Sequence, residues 1–151
     1  MEKTNTPSTK ARVIICFYAR ADCGKTKSIR SLFIKLGGHK KVLAGTHDFV
    51  GDVNFGGKQI GFVSHGDPGS SQFEDLEVFA KNGYDIIVTA SRTRGITFEN
   101  VCKIATVYGY TVVWVSPFYF DDAAQASDEL CAYFAERNAD NTAQYIIDKL
   151  I

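Results

Sequence analysis

The chain has 151 residues, 45% of them hydrophobic and 23% charged, enough for one compact domain with a buried core. Its 17 basic and 17 acidic residues cancel, so no global field draws it to nucleic acid or to an anionic membrane. No apolar run approaches membrane-spanning length, and no signal-type apolar segment follows the N-terminus.

Residues 1–10 (MEKTNTPSTK) are polar and read as a flexible tail, which leaves 11–151 as a single domain. Residues 13–36 then read as an apolar strand, a short glycine-containing loop and an amphipathic helix. Val13, Ile14, Ile15 and Phe17 suit a strand buried on both faces. Ile29, Leu32, Phe33 and Leu36 recur at i, i+3, i+4 and i+7, one helical face. Gly37-Gly38 stops that helix. Lys35, His39, Lys40 and Lys41 read as its solvated, dipole-favoured end, and 41–44 as a short strand. Residues 48–64 read as a β-hairpin, because Gly56-Gly57 separates two strand-like runs.

Ser71 with Glu74 makes a capping box for a helix whose apolar face is Phe73, Leu76, Phe79 and Ala80. Residues 84–90 (YDIIVTA) are a second buried strand. Thr97 caps the next helix, carrying Val101, Ile104, Ala105 and Tyr108, and 110–115 (YTVVWV) is a further strand ended by Pro117. Two helices follow, at 122–137 and 141–150, the latter with a core stripe of Ala143, Ile146, Ile147 and Leu150. This order predicts a three-layer α/β/α sandwich whose mostly parallel sheet carries an inserted β-hairpin. Cys16, Cys23, Cys102 and Cys131 form no C-x-x-C pair. They read as free thiols in a reducing compartment, hence a cytoplasmic protein.

Ligands in such sheets sit beyond the carboxyl ends of the parallel strands. There the residues Ala19-Arg20-Ala21-Asp22-Cys23-Gly24-Lys25-Thr26 have the spacing of G-x-x-x-x-G-K-[ST], with Ala19 in place of the first glycine. Such a loop aims backbone N–H groups and the positive end of a helix at one point, which suits a polyphosphate. Lys27 follows in the helix's first turn. Other strand ends supply Ser64-His65-Gly66-Asp67, Ser91-Arg92-Thr93-Arg94 and Ser116-Pro117. Asp67 is a candidate acid for a metal, although Asp67-Pro68-Gly69 is equally a turn before a helix. His65 can orient an attacking water or be a plain surface histidine. Arg92 and Arg94 can pair with phosphate oxygens or form a solvated face. Cys23 to Arg30 is C-x₆-R, which fails the C-x₅-R spacing of a cysteine phosphatase, and no Asn-Lys-x-Asp guanine-reading motif occurs.

The loop resembles the Walker A motif of the P-loop nucleoside triphosphate hydrolase superfamily, and the whole chain resembles small P-loop proteins of bacteria and their phages. The resemblance implies that residues 19–27 cradle the phosphates of ATP or another nucleoside triphosphate. It implies that Lys25 contacts the β- and γ-phosphates and that Thr26 carries its hydroxyl to Mg²⁺. Asp67 would then be the second metal residue. Lys25, His65, Asp67, Arg92 and Arg94 would form the catalytic set for hydrolysis or γ-phosphoryl transfer. Two alternatives stand beside this: a catalytically weak nucleotide-binding interaction module, and a small nucleotide or metabolite kinase. A third alternative is a DNA- or RNA-associated ATPase, which the zero net charge counts against and Arg92, Arg94 and the Lys40-Lys41 patch leave open; no membrane partner is expected, and a homodimer or a protein partner is left open.

Overall fold

Strand β1 (Val13–Tyr18) is the apolar run expected, buried along nearly its whole length. A computed structural model describes residues 11–19, 24–43, 48–67, 69–118 and 127–151. After β1 come helix α1 (Lys25–Lys35), a 3₁₀ turn (Lys40–Leu43), and the hairpin of β2 (Val50–Phe55) and β3 (Lys58–Val63). Then follow α2 (Gln72–Lys81), β4 (Ile86–Ser91), α3 (Ile96–Tyr108), β5 (Thr111–Val115) and α4 (Asp128–Tyr145), which ends in a π-helical turn (Ile146–Leu150). The fold class is α/β. Among the described residues no helix is long and apolar enough to cross a membrane.

The strands form one sheet in the order β2-β3-β4-β1-β5. β1 runs parallel to β4 and β5, β3 runs parallel to β4, and only β2 is antiparallel, pairing with β3. Gly56 and Gly57 both take positive φ, 59° and 80°, which is what a two-residue hairpin turn of this hand requires.

Because successive strand side chains alternate, β1 builds two cores. Val13, Ile15 and Phe17 pack on one side with Ile29, Leu32 and Phe33 of α1 and Ala139 of α4. Ile14 and Cys16 pack on the other with Leu76 and Phe79 of α2 and Val101 and Ile104 of α3. Phe33 anchors the first core, its ring 5.0 Å from that of Phe49 and 5.1 Å from that of Phe62. Burial of each such ring contributes about 1.5–3 kcal/mol.

This assignment of faces matters for function. The exits of β1 and β5 lead to α1 and α4 on one face, whereas those of β3 and β4 lead to α2 and α3 on the other. Neighbouring exits therefore diverge between β1 and β4, where an α/β sheet opens a crevice.

Several local expectations need correction. Lys40–Leu43 is a 3₁₀ turn and not a strand. Ser71 occupies the N-cap of α2, but its hydroxyl donates to Asp75 and caps no amide. α3 begins after Gly95, so Thr97 lies inside it and accepts from the Arg92 amide instead of capping. The two C-terminal helices are one from Asp128 onward, uninterrupted at 138–140. Asn138 explains this: its buried amide donates to Ser28 Oγ at 3.1 Å and the Phe118 carbonyl at 3.0 Å, and accepts from the Phe118 amide at 2.8 Å. Tertiary hydrogen bonds thus override a run of weak helix formers. In the last stripe Ile146 is buried but Ile147 is 47% exposed. The expected tail at 1–10 and the expected helix start at 122 lie outside the described residues.

Candidate functional site

Gly24 stands immediately before α1 in the left-handed region, φ 77° and ψ 18°. A side chain there would meet open space, so conformation and not room makes the position a glycine's. Lys25 opens the helix. Its side chain is buried, 7% exposed, and Nζ donates to the Ala19 carbonyl at 2.5 Å, closing back across the mouth of the loop. Among the described residues no side chain caps α1, and no acid stands in its first turn, so the helix keeps its partial positive charge at the Gly24 end. Lys27 is exposed on that turn. Arg20, Ala21, Asp22 and Cys23 lie outside the described residues.

The loop is fixed at both ends. The Ala19 amide donates to the Ser91 carbonyl at 3.1 Å, tying the exit of β1 to that of β4 across the crevice. Ser28 donates through Oγ to the Gly24 carbonyl at 2.9 Å and accepts from Asn138, linking the loop to α4. Behind the crevice Cys16 Sγ donates to Ser91 Oγ at 3.5 Å, and burial pushes this thiol up to about 12. It is a core group and no nucleophile.

The carboxylate that Thr26 reaches is Asp48. Thr26 Oγ1 donates to Asp48 Oδ1 at 3.2 Å, and Ser64 Oγ donates to the same oxygen at 3.2 Å. Ser64 is buried and also accepts from the Phe49 amide at 2.7 Å, so the entry of β2 is clipped to the exit of β3. His65 follows, with Nδ1 3.7 Å from Asp48 Oδ2 and Nε2 3.3 Å from Asp75 Oδ2. Gly66 runs so close to β4 that a Cβ would stand 2.9 Å from that of Ala90, and this brings the chain across to Arg92. Asp67 pairs there with Arg92, Oδ1 to an Nη at 3.3 Å, with the Asp67 side chain 64% exposed. Arg92 Nε is buried with no hydrogen-bond partner among the described residues. Arg94 is exposed on the same loop.

Of the residues expected at the site, Ala19, Gly24, Lys25 and Thr26 come together at the start of α1, and Asp67 and Arg92 meet at the exits of β3 and β4. Asp48 and Asp75 were not among the expected residues, and Ser64 was expected only as part of a strand end. One signal was available for Asp48: an antiparallel hairpin strand begins where its partner ends, so the entry of β2 had to lie beside Ser64. Among the described residues no group of three or more His, Cys, Asp or Glu is placed to hold a metal. The start of α1 thus holds the Lys25 ammonium and the Thr26 hydroxyl, the latter paired with the Asp48 carboxylate, and the Arg92 guanidinium lies at the exit of the neighbouring strand β4. No protein-family model, curated protein or solved structure matches the chain.

Proposed function

We propose that the chain is a P-loop NTPase-like protein that binds a nucleoside triphosphate, ATP in the first instance, and hydrolyses it or passes on its γ-phosphoryl group. One observation carries the reading: Lys25, behind a left-handed Gly24, turns its buried ammonium back to the Ala19 carbonyl, so the helix end and the charge stand together at the exit of β1. That convergence lies at the sheet's crevice, the position such ligands favour. In this reading the loop amides and Lys25 bind the β- and γ-phosphates. Arg92, with its buried Nε, turns from Asp67 to the γ-phosphate as charge develops there.

The donor set beside the loop fits the implied Mg²⁺. The Thr26 hydroxyl and Asp48 carboxylate are hard oxygen donors, and such sites complete themselves with phosphate and water oxygens. When bound, the ion neutralises charge shared by the β- and γ-phosphates. We assign the acid to Asp48 in preference to Asp67, whose carboxylate is taken by Arg92. In hydrolysis a water oxygen bonds to the γ-phosphorus as the bond to the β–γ bridging oxygen breaks, and in this reading His65, held between Asp48 and Asp75, is the side chain assigned to orient that water. The free thiols of Cys16, Cys102 and Cys131 agree with a reducing, cytoplasmic setting.

Calorimetric titration of ATP and GTP, with and without Mg²⁺, tests the reading on wild type and Lys25→Ala. Micromolar binding abolished by Lys25→Ala is the expected result, followed by measurement of phosphate release. Absence of binding to folded wild type overturns it.

A further inference from the structure

Phe118 is the most exposed large apolar side chain among the described residues, at 68%, yet its backbone is held at both polar groups. Its amide donates to Asn138 Oδ1 at 2.8 Å, and its carbonyl accepts from Asn138 Nδ2 at 3.0 Å. One buried side chain therefore clamps the residue. The buried Pro117 just before it fixes a further backbone angle. The Phe118 ring stands edge-to-face with that of Phe134, centroids 5.1 Å apart and planes at 89°. A neighbour in that geometry supports a ring without covering it. The result is an aromatic ring fixed in advance and open to solvent, which lowers the ordering cost of binding a flat ligand.

The same amide leads to the start of α1. Asn138 Nδ2 also donates to Ser28 Oγ at 3.1 Å, and Ser28 Oγ donates to the Gly24 carbonyl at 2.9 Å. Three successive hydrogen bonds thus connect the Gly24 and Phe118 carbonyls, which stand no more than about 9 Å apart. In a nucleotide, the α-phosphate and the ribose separate the β-phosphate from the base by a similar length. Strand β5, whose exit leads to Phe118, is moreover the direct neighbour of β1, whose exit leads to Gly24.

We infer that Phe118 is the platform on which the base of a bound nucleotide stacks, and that Asn138 is the positioning residue that sets it relative to Gly24. The inference rests on the nucleotide reading and extends it from the phosphates to the base. A ring face carries no hydrogen-bonding code, so the platform accepts adenine and guanine alike. That agrees with a chain that lacks an Asn-Lys-x-Asp motif.

The test compares ATP, GTP and inorganic tripolyphosphate, which has no base, by calorimetry on the full-length chain in Mg²⁺. Phe118→Ala should weaken ATP and GTP about 5- to 150-fold, and by similar factors. It should leave tripolyphosphate affinity unchanged, with circular dichroism confirming the fold. Phe118→Tyr, which keeps a ring face, should bind ATP as wild type does. Phe118→Leu keeps apolar bulk against Phe134 without a ring face and should lose ATP affinity as Phe118→Ala does. Unchanged ATP affinity in Phe118→Ala or Phe118→Leu, or a parallel fall in tripolyphosphate affinity, overturns the inference and leaves the nucleotide reading standing. Wild type that binds neither ATP nor tripolyphosphate refutes the nucleotide reading, and the inference falls with it.

Discussion

The Thr26 hydroxyl and the Asp48 carboxylate meet at 3.2 Å, joining the first turn of α1 to the entry of β2. An acid 22 positions along the chain thus stands beside the loop hydroxyl. Asp48→Asn keeps the size and hydrogen-bonding capacity of the side chain but removes its charge. It should abolish the metal-dependent increment in nucleotide affinity, about 10-fold or more, and leave metal-free binding unchanged. Titrations with and without Mg²⁺ read this directly.

Asp67 and Arg92 behave differently, because their pairing is largely exposed. Such pairs contribute about 0–1 kcal/mol, so Asp67→Asn should shift stability by no more than about 0.5 kcal/mol in urea unfolding. It also releases the guanidinium, so nucleotide affinity should hold or rise. Arg92→Ala should lower it about 10-fold. A fall in Mg²⁺ dependence on Asp67→Asn would instead return the metal to that residue.

Asn138 carries a third expectation. It is buried and bonds both Ser28 and the backbone of Phe118, joining α4, α1 and the chain after β5. Asn138→Ala strands the Phe118 amide and carbonyl, at a cost of about 1–3 kcal/mol. Ser28 also holds the Gly24 carbonyl, so the variant should weaken nucleotide binding as well as lowering the urea midpoint.

Alkaline pH should destabilise the fold through several groups of the same sign, with Cys16 and Tyr84 pushed furthest. Burial pushes the Cys16 thiol from 9.0 up to about 12. The Tyr84 hydroxyl, which donates to Asp52 at 2.5 Å, is pushed from 10.0 up to about 12 by that bond and by burial. Above about pH 9 the unfolded chain sheds these protons first, so it binds fewer than the native state and gains relative stability. Urea midpoints should therefore be flat up to about pH 9 and fall between 9 and 12, and Tyr84→Phe should reduce the part that begins near pH 10, to which Tyr108 and Tyr110, also raised, contribute as well. The Cys16 thiol should resist alkylation in the native state and react only on unfolding.

What could be read from the sequence followed the strength of local signals. The apolar run at β1, the i, i+3, i+4, i+7 pattern of α1 and the Gly56-Gly57 turn each have a local cause, and each stands where periodicity and turn chemistry put it. Capping at Ser71 and Thr97 failed because those hydroxyls found competing partners, Asp75 and the Arg92 amide, that spacing alone does not reveal. The Asp48–Thr26 contact depends on which strand is antiparallel and on how far the hairpin reaches, both tertiary facts. Asp67 looked the better acid in sequence because it follows an apolar strand. Its ion pair with Arg92 comes from the close passage of Gly66 over Ala90, which no local pattern encodes.

The central position of β1 also has a consequence for the newborn chain. Val13 pairs with Ile86 and Thr111, so β1 waits for two strands that are made well after it. At about 5–20 residues per second, its six largely buried positions go without partners for roughly 4–15 s before β4 is made. The β2–β3 hairpin and the helices can form in that interval from their own neighbours, but they have no sheet on which to dock. The Ala19-to-Ser91 bond that fixes the loop mouth is necessarily among the late contacts. Whatever the loop holds, it can hold only after synthesis has passed Ser91, more than 70 residues beyond Ala19.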